Sequence, residues 1–267
     1  MMRLFYLSFI VLTMLSGPVL ASGTGNGKFQ IAAAELSGLF DTPASTEQHQ
    51  SQSGVYYQLL SQILQETGLA SRYQLVVLPM KRAKADFARG LFACYAPGLD
   101  TFGTSERDLL NPQLLSSSPF NYAMVKVISL PGTPLVKSAA DITGKDQISI
   151  VRGVPISPQM QRMLDNAQHF YTVGSERENL QMLMSGRVKY SLVFYPDVLA
   201  AYRELGLTEQ FPYDQNYSPS TIRDNLICHP EHKSAFAQIE AAIVRYQQQG
   251  KLKTLLQEYY LPKAFLQ

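Results

Sequence analysis

The chain has 267 residues, of which 46% are hydrophobic and 16% charged, and its formal net charge is +2. This length suits one large domain or two of ordinary size, and the apolar content excludes a disordered chain. The near-neutral charge argues against nucleic-acid binding, which usually needs a clustered basic face. Two cysteines are too few for a zinc finger or a disulfide-dense scaffold.

The N-terminus has the pattern of a secretory signal peptide at residues 1–21. Arg3 precedes an apolar run at 4–15, and Ala21 suits the small-residue position before a cleavage site. The apolar run is shorter than the ~20 residues of a membrane-spanning helix, so an uncleaved anchor is the less favoured alternative. We expect an exported, periplasmic protein whose mature chain begins at Ser22.

Hydrophobic periodicity predicts two series of alternating strands and helices in the mature chain. In the first series, strands are predicted at 28–35, 73–78 and 91–96, with a helix from Val55 that ends before Gly68 and a basic helix at 80–89. In the second, strands are predicted at 123–130, 147–151 and 188–195, with helices that begin at Ser157 and Ser175. The last predicted elements are a strand at 225–228 and a long helix broken at Gly250, after a connection at 209–222.

The motifs of several enzyme classes are absent from the sequence. It contains no GxSxG nucleophile motif, no HExxH zinc motif and no GxxxxGK[ST] phosphate loop. His229 and His232 are spaced to share a helix face, but no carboxylate or thiolate set completes a metal site, so we expect surface histidines. No metal and no cofactor are predicted. An enzyme stays open as an alternative, because catalytic groups are brought together in space rather than in sequence.

Five stretches, taken in order, resemble the extracellular solute-binding family 3, whose members include periplasmic amino-acid receptors of ABC transporters. They are YYQLLSQILQETGL with YQLVVLPMKRAKADFARG (56–90), TSERDLLNPQLLSSSPF (104–120), DITGKDQISIVRG (141–153), ENLQMLMSGRV (178–188), and the C-terminal helix with its closing LLQEYY. Each stretch is weak alone, whereas the ordered set covers nearly all of the mature chain.

The resemblance implies an α/β fold of two lobes, the type II periplasmic-binding-protein fold, with a ligand cleft between them. The first lobe would comprise residues 22–122 plus 223–267, and the second lobe residues 123–222. It further implies a monomer that binds a small polar, carboxylate-bearing ligand such as an amino acid. Such a protein serves an ABC permease in uptake, or a membrane sensor, by closing its cleft on the ligand.

The same resemblance bears on Cys94 and Cys228. An exported protein lies in a compartment that permits disulfides, although two buried free thiols are the alternative. In this fold the strand that returns to the first lobe lies beside the third strand of that lobe. Cys228 is on the returning strand and Cys94 on the third, so a disulfide between them is expected.

Several ligand-binding residues follow from the resemblance. Arg107 matches the arginine that binds a ligand carboxylate from the first lobe, which suits the two parallel hydrogen bonds of a guanidinium; its alternative is a surface arginine. Gly98 ends the third strand, where the family's backbone contacts ligand, or is a plain turn glycine. Arg152 and Gly153 precede a helix N-terminus that suits an anion, or form an ordinary turn.

Two further positions concern the ligand's amino group and its body. Glu35 ends the first predicted strand and is a candidate to receive an ammonium, with a solvated strand end as the alternative. The family's amine-binding Asp is absent: Phe194 occupies that position, and Asp197 is offset beyond the proline. Either another acid supplies the charge, or the ligand is not an α-amino acid. Aromatic residues such as Tyr195 would suit a flatter ligand, with core packing as their alternative.

Two other functions remain open from the sequence. The first is an enzyme on the same scaffold, similar to a dehydratase, with Glu35 as its acid. The second is a sensory or adaptor module that binds a membrane partner without transport. Fold alone does not separate these, because function depends on the site.

Overall fold

The computed structural model describes residues 27–42 and 53–261, which form two five-stranded sheets. The signal-peptide prediction at residues 1–21 lies outside these residues. The strands are β1 (Phe29–Ala34), β2 (Tyr73–Leu78), β3 (Cys94–Ala96), β4 (Leu115–Ser116), β5 (Asn121–Ser129), β6 (Gln147–Val151), β7 (His169–Val173), β8 (Tyr190–Tyr195), β9 (Thr221–Asp224) and β10 (Ile227–Cys228). The α-helices are α1 (Val55–Glu66), α2 (Met80–Ala88), α3 (Thr104–Arg107), α4 (Pro158–Asn166), α5 (Glu176–Met184), α6 (Val198–Glu204), α7 (Lys233–Gln248) and α8 (Lys251–Leu256).

The first sheet has the order β2-β1-β3-β10-β4. Strands β2 and β3 run parallel to β1, and β10 runs antiparallel to β3. Helices α1, α7 and α8 cover one face with a large apolar cluster, and α2 covers the other through Ala83 and Phe87. We call this sheet with its helices the first lobe.

The second sheet has the order β7-β6-β8-β5-β9 and forms the second lobe. Helix α4 packs on one face through Met160 and Met163, while α5 and α6 pack on the other. The N-cap of α4 is Ser157, whose hydroxyl accepts a hydrogen bond from Met160 N, as the Ser-Pro pair predicts. The amide of Glu178 likewise donates to Ser175 Oγ at the start of α5.

The chain passes between the lobes twice, through β5 and β9, which pair antiparallel. The predicted lobe boundaries, 122/123 and 222/223, fall inside these two strands. We call the β5–β9 ribbon the hinge. Residues 209–222 are predicted to be a connection, but Thr221 and Ile222 are the first residues of β9. Their strand conformation comes from pairing with β5, which no local pattern announces.

The disulfide between Cys94 and Cys228 is confirmed. The two residues lie directly opposite one another on β3 and β10, with their Cα atoms 4.0 Å apart. The bond joins positions separated by 134 residues, on either side of the whole second lobe. Closing a loop of this length stabilises the folded state by about 4–5 kcal/mol in the chain-entropy account.

Candidate functional site

A small, partly open cavity lies where the two lobes and the hinge meet. The first lobe lines it with Leu36, Leu39, Met80, Pro97 and Thr101, the second with Val154, Pro155, Phe194 and Asp197, and the hinge with Ala123, Ile222 and Asp224. Its volume is about 30 Å³, well below the roughly 300–1,000 Å³ of small-molecule pockets. In this conformation the lobes are closed, so a ligand the size of an amino acid enters only when they separate.

Lys84 on α2 makes a polar contact across the closed cleft. Its ammonium lies 3.4 Å from the carbonyl oxygen of Gly153 in the second lobe. In its own lobe it donates to Thr101 O at 3.0 Å and to Glu106 Oε2 at 2.7 Å. The residue is only 4% exposed, which is rare for a lysine and requires this full set of acceptors.

Three buried carboxyl groups surround the lobe junction. Asp197 and Asp224 line the cavity, and Glu176 lies behind Phe194, whose backbone N–H donates to Glu176 Oε1 at 2.9 Å. All three residues are more than nine-tenths buried. Within residues 27–42 and 53–261, none of them forms an ion pair.

Burial shifts the titration of these groups. It raises the pKa of Glu176 to about 7 and that of Asp224 to about 7. Burial, followed by the negative charge of Glu176, also raises the pKa of Asp197 well above its ordinary value. Removing a carboxylate from water disfavours its charged form, and a neighbouring negative charge adds to that effect. These three carboxyl groups therefore favour their neutral, protonated forms more than exposed carboxyl groups do.

Asp224 belongs to a buried hydrogen-bond network at the hinge. Tyr56 on α1 donates to Asp224 Oδ2 at 2.5 Å, and Asn121 Nδ2 donates to the Tyr56 hydroxyl at 2.6 Å. Asn121 also donates to Tyr259 O at 2.8 Å and accepts from Leu261 N at 2.8 Å. The network ties the first lobe and the C-terminal segment to both hinge strands, and it leaves Asp224 at the edge of the cavity.

Two acids adjoin the position of the missing aspartate, namely Glu176, which accepts from Phe194 N, and Asp197. Phe194 lines the cavity with its ring, and Asp197, beyond the proline, lines the same cavity as the N-cap residue of α6. The offset noted in the sequence therefore does not remove Asp197 from the cleft. A role for Asp197 as an acid that replaces the missing aspartate stays a prediction.

The predicted backbone sites adjoin the cavity. Gly98 lies between two lining residues, Pro97 and Thr101, and its φ of 107° is in the region that favours glycine. A Cβ at this position would lie 1.7 Å from Asn225 Oδ1. Arg152 and Gly153 are exposed, directly before the lining residues Val154 and Pro155.

Arg107 is not among the residues that line the cavity. It ends α3, its side chain is 44% exposed, and Nε donates to Phe102 O at 3.0 Å. Its other contact is Asp100, at 3.5 Å from Nη2. Asp100 also receives two hydrogen bonds from the Arg223 guanidinium on β9. A role for Arg107 as the carboxylate ligand stays a prediction, and it would require the guanidinium to move from this position.

Glu35 and Tyr195 also lie away from the cavity lining. Glu35 is exposed and accepts a hydrogen bond from the Thr42 hydroxyl. Tyr195 follows Phe194 on β8, so its side chain points to the opposite face of the sheet. There it packs in the α5–α6 cluster and donates to Gln210 Oε1 at 3.0 Å. Tyr195 is therefore part of the core of the second lobe, which is the alternative to ligand contact that the sequence left open.

The expectation of two surface histidines was wrong for His229. This residue is 8% exposed, its ring stacks on Phe87 at a centroid distance of 4.5 Å, and Nε2 lies 3.1 Å from Phe87 O. Packing of α2 against the β10 end explains its burial. In the described part of the chain, no cluster of three or more His, Cys, Asp or Glu side chains is arranged to hold a metal ion.

Sequence reasoning missed three of the four charged groups at the lobe junction, namely Lys84, Glu176 and Asp224, and noted Asp197 only as an offset acid. A basic helix such as the one predicted at 80–89 normally exposes its charged side chains to solvent. That holds for Lys81 and Arg82, which are exposed, but Lys84 points inward one turn later. The available signal was its position beside Ala83 and Phe87 on the apolar side of α2.

A larger concavity of about 550 Å³ lies on the outer face of the hinge. Its lining includes Tyr122 and Arg223, a cross-strand pair whose side chains point away from the face formed by Ala123 and Ile222. The remaining lining residues come from the first lobe and the hinge strands, and Arg223 is exposed. This groove therefore does not lie between the lobes.

Solved structures with this fold cover most of the chain. An ancestral arginine-binding protein bound to arginine aligns with a TM-score of 0.64 and 13% identity, over 88% of this chain and 99% of that one. The unliganded, open L-cystine solute receptor of Neisseria gonorrhoeae aligns with a TM-score of 0.59 and 14% identity, over 92% and 97%. An ancestral amino acid-binding protein described as a precursor of cyclohexadienyl dehydratase gives a TM-score of 0.65 and 14% identity, over 88% and 96%.

These likenesses define the fold. The chain has the two-lobed α/β architecture of periplasmic amino-acid-binding proteins, with a cleft between the lobes, and the expected fold class is confirmed. No protein-family model and no curated protein matches the sequence. None of the helices in residues 27–42 and 53–261 is long and apolar enough to cross a membrane.

Proposed function

We propose that this protein is a periplasmic receptor that binds a small polar ligand, an amino acid or a related compound, in the cleft between its lobes. The observation that carries the proposal is the cavity at the lobe junction, whose walls come from both lobes and from the hinge. Such a site is complete only when the lobes are closed. Ligand binding is thereby coupled to a change of shape that a partner protein can detect.

The partner in this proposal is an ABC permease for uptake, or a membrane sensor, and the receptor acts as a monomer. The solved structures of the same fold include receptors for arginine and for cystine, which supports an amino acid or a similar compound as ligand. The Cys94–Cys228 disulfide supports an oxidising compartment. The predicted signal peptide at residues 1–21 would direct the chain there.

A thermal-shift screen of the mature protein tests this function. The compounds are amino acids, small carboxylates, polyamines and aromatic acids. A ligand that binds only the folded state raises the melting temperature by mass action, by an amount that grows with its concentration over Kd. A saturable shift with one of these compounds is the expected result. No shift with any of them would contradict the function.

An enzyme on the same scaffold is the second candidate, and one observation favours it. Glu176 and Asp224 are buried at the lobe junction, and burial raises the pKa of each to about 7. A group that titrates near neutral pH is suited to general acid–base catalysis. One structure of the same fold is described as a dehydratase precursor. The exposed Glu35 is less suited to this role than Asp224, which lines the cavity.

Incubating each bound compound with the protein, and analysing the compound by NMR, separates turnover from binding.

A further inference from the structure

The C-terminal segment at residues 257–261, which we call the strap, contacts both lobes close to the cavity. Tyr259 is 4% exposed and belongs to the apolar cluster of the first lobe. Its hydroxyl lies against Gly38, in the loop after β1 whose leucines line the cavity, and leaves no room for a Cβ at that glycine. Two residues later, Leu261 packs in the α5–α6 cluster of the second lobe. The strap is therefore a third link between the lobes, in addition to the two strands of the hinge.

The side chain of Asn121, at the start of β5, holds the strap to the hinge. Its amide donates to Tyr259 O at 2.8 Å, and its oxygen accepts from Leu261 N at 2.8 Å. Asn121 lies opposite Asp224 in the β5–β9 pairing, and the Tyr56 hydroxyl links these two side chains. Because Asp224 lines the cavity, the strap lies on the cleft side of the hinge and not on the side of the outer groove.

Helix α6 of the second lobe packs against the strap and the first lobe on this same side. Leu199 contacts the apolar clusters of both lobes. Arg203, one turn later, forms an ion pair with Glu258, and its Cζ lies 5.1 Å from the centroid of the Tyr259 ring. Asp197 at the start of the same helix lines the cavity, so these contacts continue the closed cleft.

The strap has little slack with which to follow an opening motion. Tyr259 and Leu261 are two residues apart, so their Cα atoms are separated by at most about 7 Å. Tyr259 is fixed in the first lobe by its burial and by Asn121, whereas Leu261 is only half-buried against the second lobe. Rotation of the second lobe about the hinge therefore pulls its apolar cluster away from Leu261 before it disturbs Tyr259.

We propose that the strap is a conformational device that favours the closed cleft. Leu261 and the Arg203–Glu258 pair hold α6 against the first lobe, and both contacts are given up when the lobes separate. This inference goes beyond the proposed function, because it concerns the balance of open and closed forms with no ligand bound. A larger population of the closed form raises the apparent affinity for any ligand that this form holds. The strap would thus adjust ligand affinity from outside the cavity lining.

The first test compares two leucine variants of the unliganded protein by small-angle X-ray scattering. Leu261→Ser removes the apolar contact with the second lobe. The matched control is Leu255→Ser on α8, which removes another half-buried leucine that packs against the first-lobe cluster. We expect a larger radius of gyration in Leu261→Ser and the wild-type value in Leu255→Ser. Both variants lose an apolar contact and should melt earlier than wild type, so the radius of gyration, and not the melting temperature, distinguishes them.

A second pair of variants tests the same contact without changing the core. Arg203→Gln removes the ion pair with the half-exposed Glu258, and Arg187→Gln, at an exposed position elsewhere on the second lobe, is its control. Only Arg203→Gln should increase the radius of gyration. Its scattering decides the matter if Leu261→Ser does not fold.

Wild-type scattering from a folded Leu261→Ser would overturn the proposal, and so would an equal increase in Leu255→Ser. If Leu261→Ser does not fold, wild-type scattering from Arg203→Gln, or an equal increase in Arg187→Gln, would overturn it instead. These measurements use no ligand, so a negative result leaves the proposed function standing, whereas the thermal-shift screen tests that function independently.

Discussion

The ammonium of Lys84 reaches the carbonyl oxygen of Gly153 across the cleft, so a helix of the first lobe contacts the backbone of the second. Lys84→Met keeps the apolar stem and removes this contact, and the loss should shift the unliganded protein toward its open form. The expected results are a larger radius of gyration by small-angle X-ray scattering and a severalfold weaker ligand affinity. Lys81→Met, at an exposed position on the same helix, is the control. Identical scattering from the two variants would show that the contact does not hold the lobes together.

The disulfide provides a stability prediction. Cys94→Ala/Cys228→Ala removes a cross-link that closes a 134-residue separation, at a cost of about 4–5 kcal/mol. At roughly 2–4 °C per kcal/mol for a chain of this size, the melting temperature should fall by about 10 °C or more. Scanning calorimetry measures this fall by comparing the variant with wild type, and wild type with and without reductant. Equal melting temperatures for oxidised and reduced wild type would contradict the prediction.

The strands and the helix starts could be predicted from the sequence because they depend on local signals, whereas the disulfide depended on the resemblance to a known fold. Strands such as 73–78 and 147–151 have short apolar runs bounded by turn residues, and they match β2 and β6 at both ends. Ser157-Pro158 announces the start of α4 by its own hydrogen bonding. The cysteine pair followed from the strand order that the resemblance implies, and that order is present.

The charged groups of the site could not be predicted in the same way, because their burial is a tertiary property. Asp224 is in the cavity because β9 pairs with β5 at Asn121, and Tyr56 reaches it from a helix 168 positions earlier. Lys84 is buried because Thr101 and Glu106 of its own lobe and Gly153 of the second lobe surround its ammonium. Sequence spacing alone describes these residues as ordinary charges on a helix or at a strand end.

Glycine at position 98 is required by its surroundings, and alanine there should be strongly destabilising. A Cβ would clash with Asn225 Oδ1 at 1.7 Å and Asn225 O at 2.9 Å, at a φ of 107°. Backbone strain of this kind costs about 1–3 kcal/mol before the clash is counted. Gly132→Ala is the matched control, since Gly132 has a φ of 85° but nothing within 4 Å of the added carbon. Gly98→Ala should lower the urea midpoint clearly more than Gly132→Ala, and equal midpoints would show that the clash is relieved.

The unliganded protein should lose stability as the pH rises from 5 to 8. Burial raises the folded-state pKa of Glu176 and of Asp224 to about 7, above the values of the unfolded chain. Between about pH 4.5 and 7 the folded state therefore holds more protons than the unfolded state, and the free energy of unfolding falls as pH rises through this window.

The pKa of Asp100 lies below its ordinary value: burial raises it, but hydrogen bonds from Arg223 outweigh that effect. The contribution of Asp100 to the free energy of unfolding therefore changes only at pH values below the window from about 4.5 to 7. Melting temperatures of wild type and Glu176→Gln at pH 5, 6, 7 and 8 provide the measurement. The fall in melting temperature between pH 5 and 8 should be smaller in Glu176→Gln than in wild type, and an equal fall in both proteins would refute the raised pKa of Glu176.

Arg107 and Asp197 should act on opposite ends of a ligand that has both charges. If Arg107 turns from Phe102 O into the cleft to bind a carboxylate, Arg107→Ala weakens 5-aminopentanoate at least tenfold and leaves 1,5-diaminopentane unchanged. Asp197→Asn should weaken the binding of both compounds. Arg107→Lys should restore little, because an ammonium does not reproduce the two parallel hydrogen bonds of a guanidinium. Calorimetric titration of the three variants with both compounds tests this division of roles. Equal loss of both compounds in Arg107→Ala would instead show that Arg107 acts through the loop at Asp100 and Phe102, which it contacts in the closed structure.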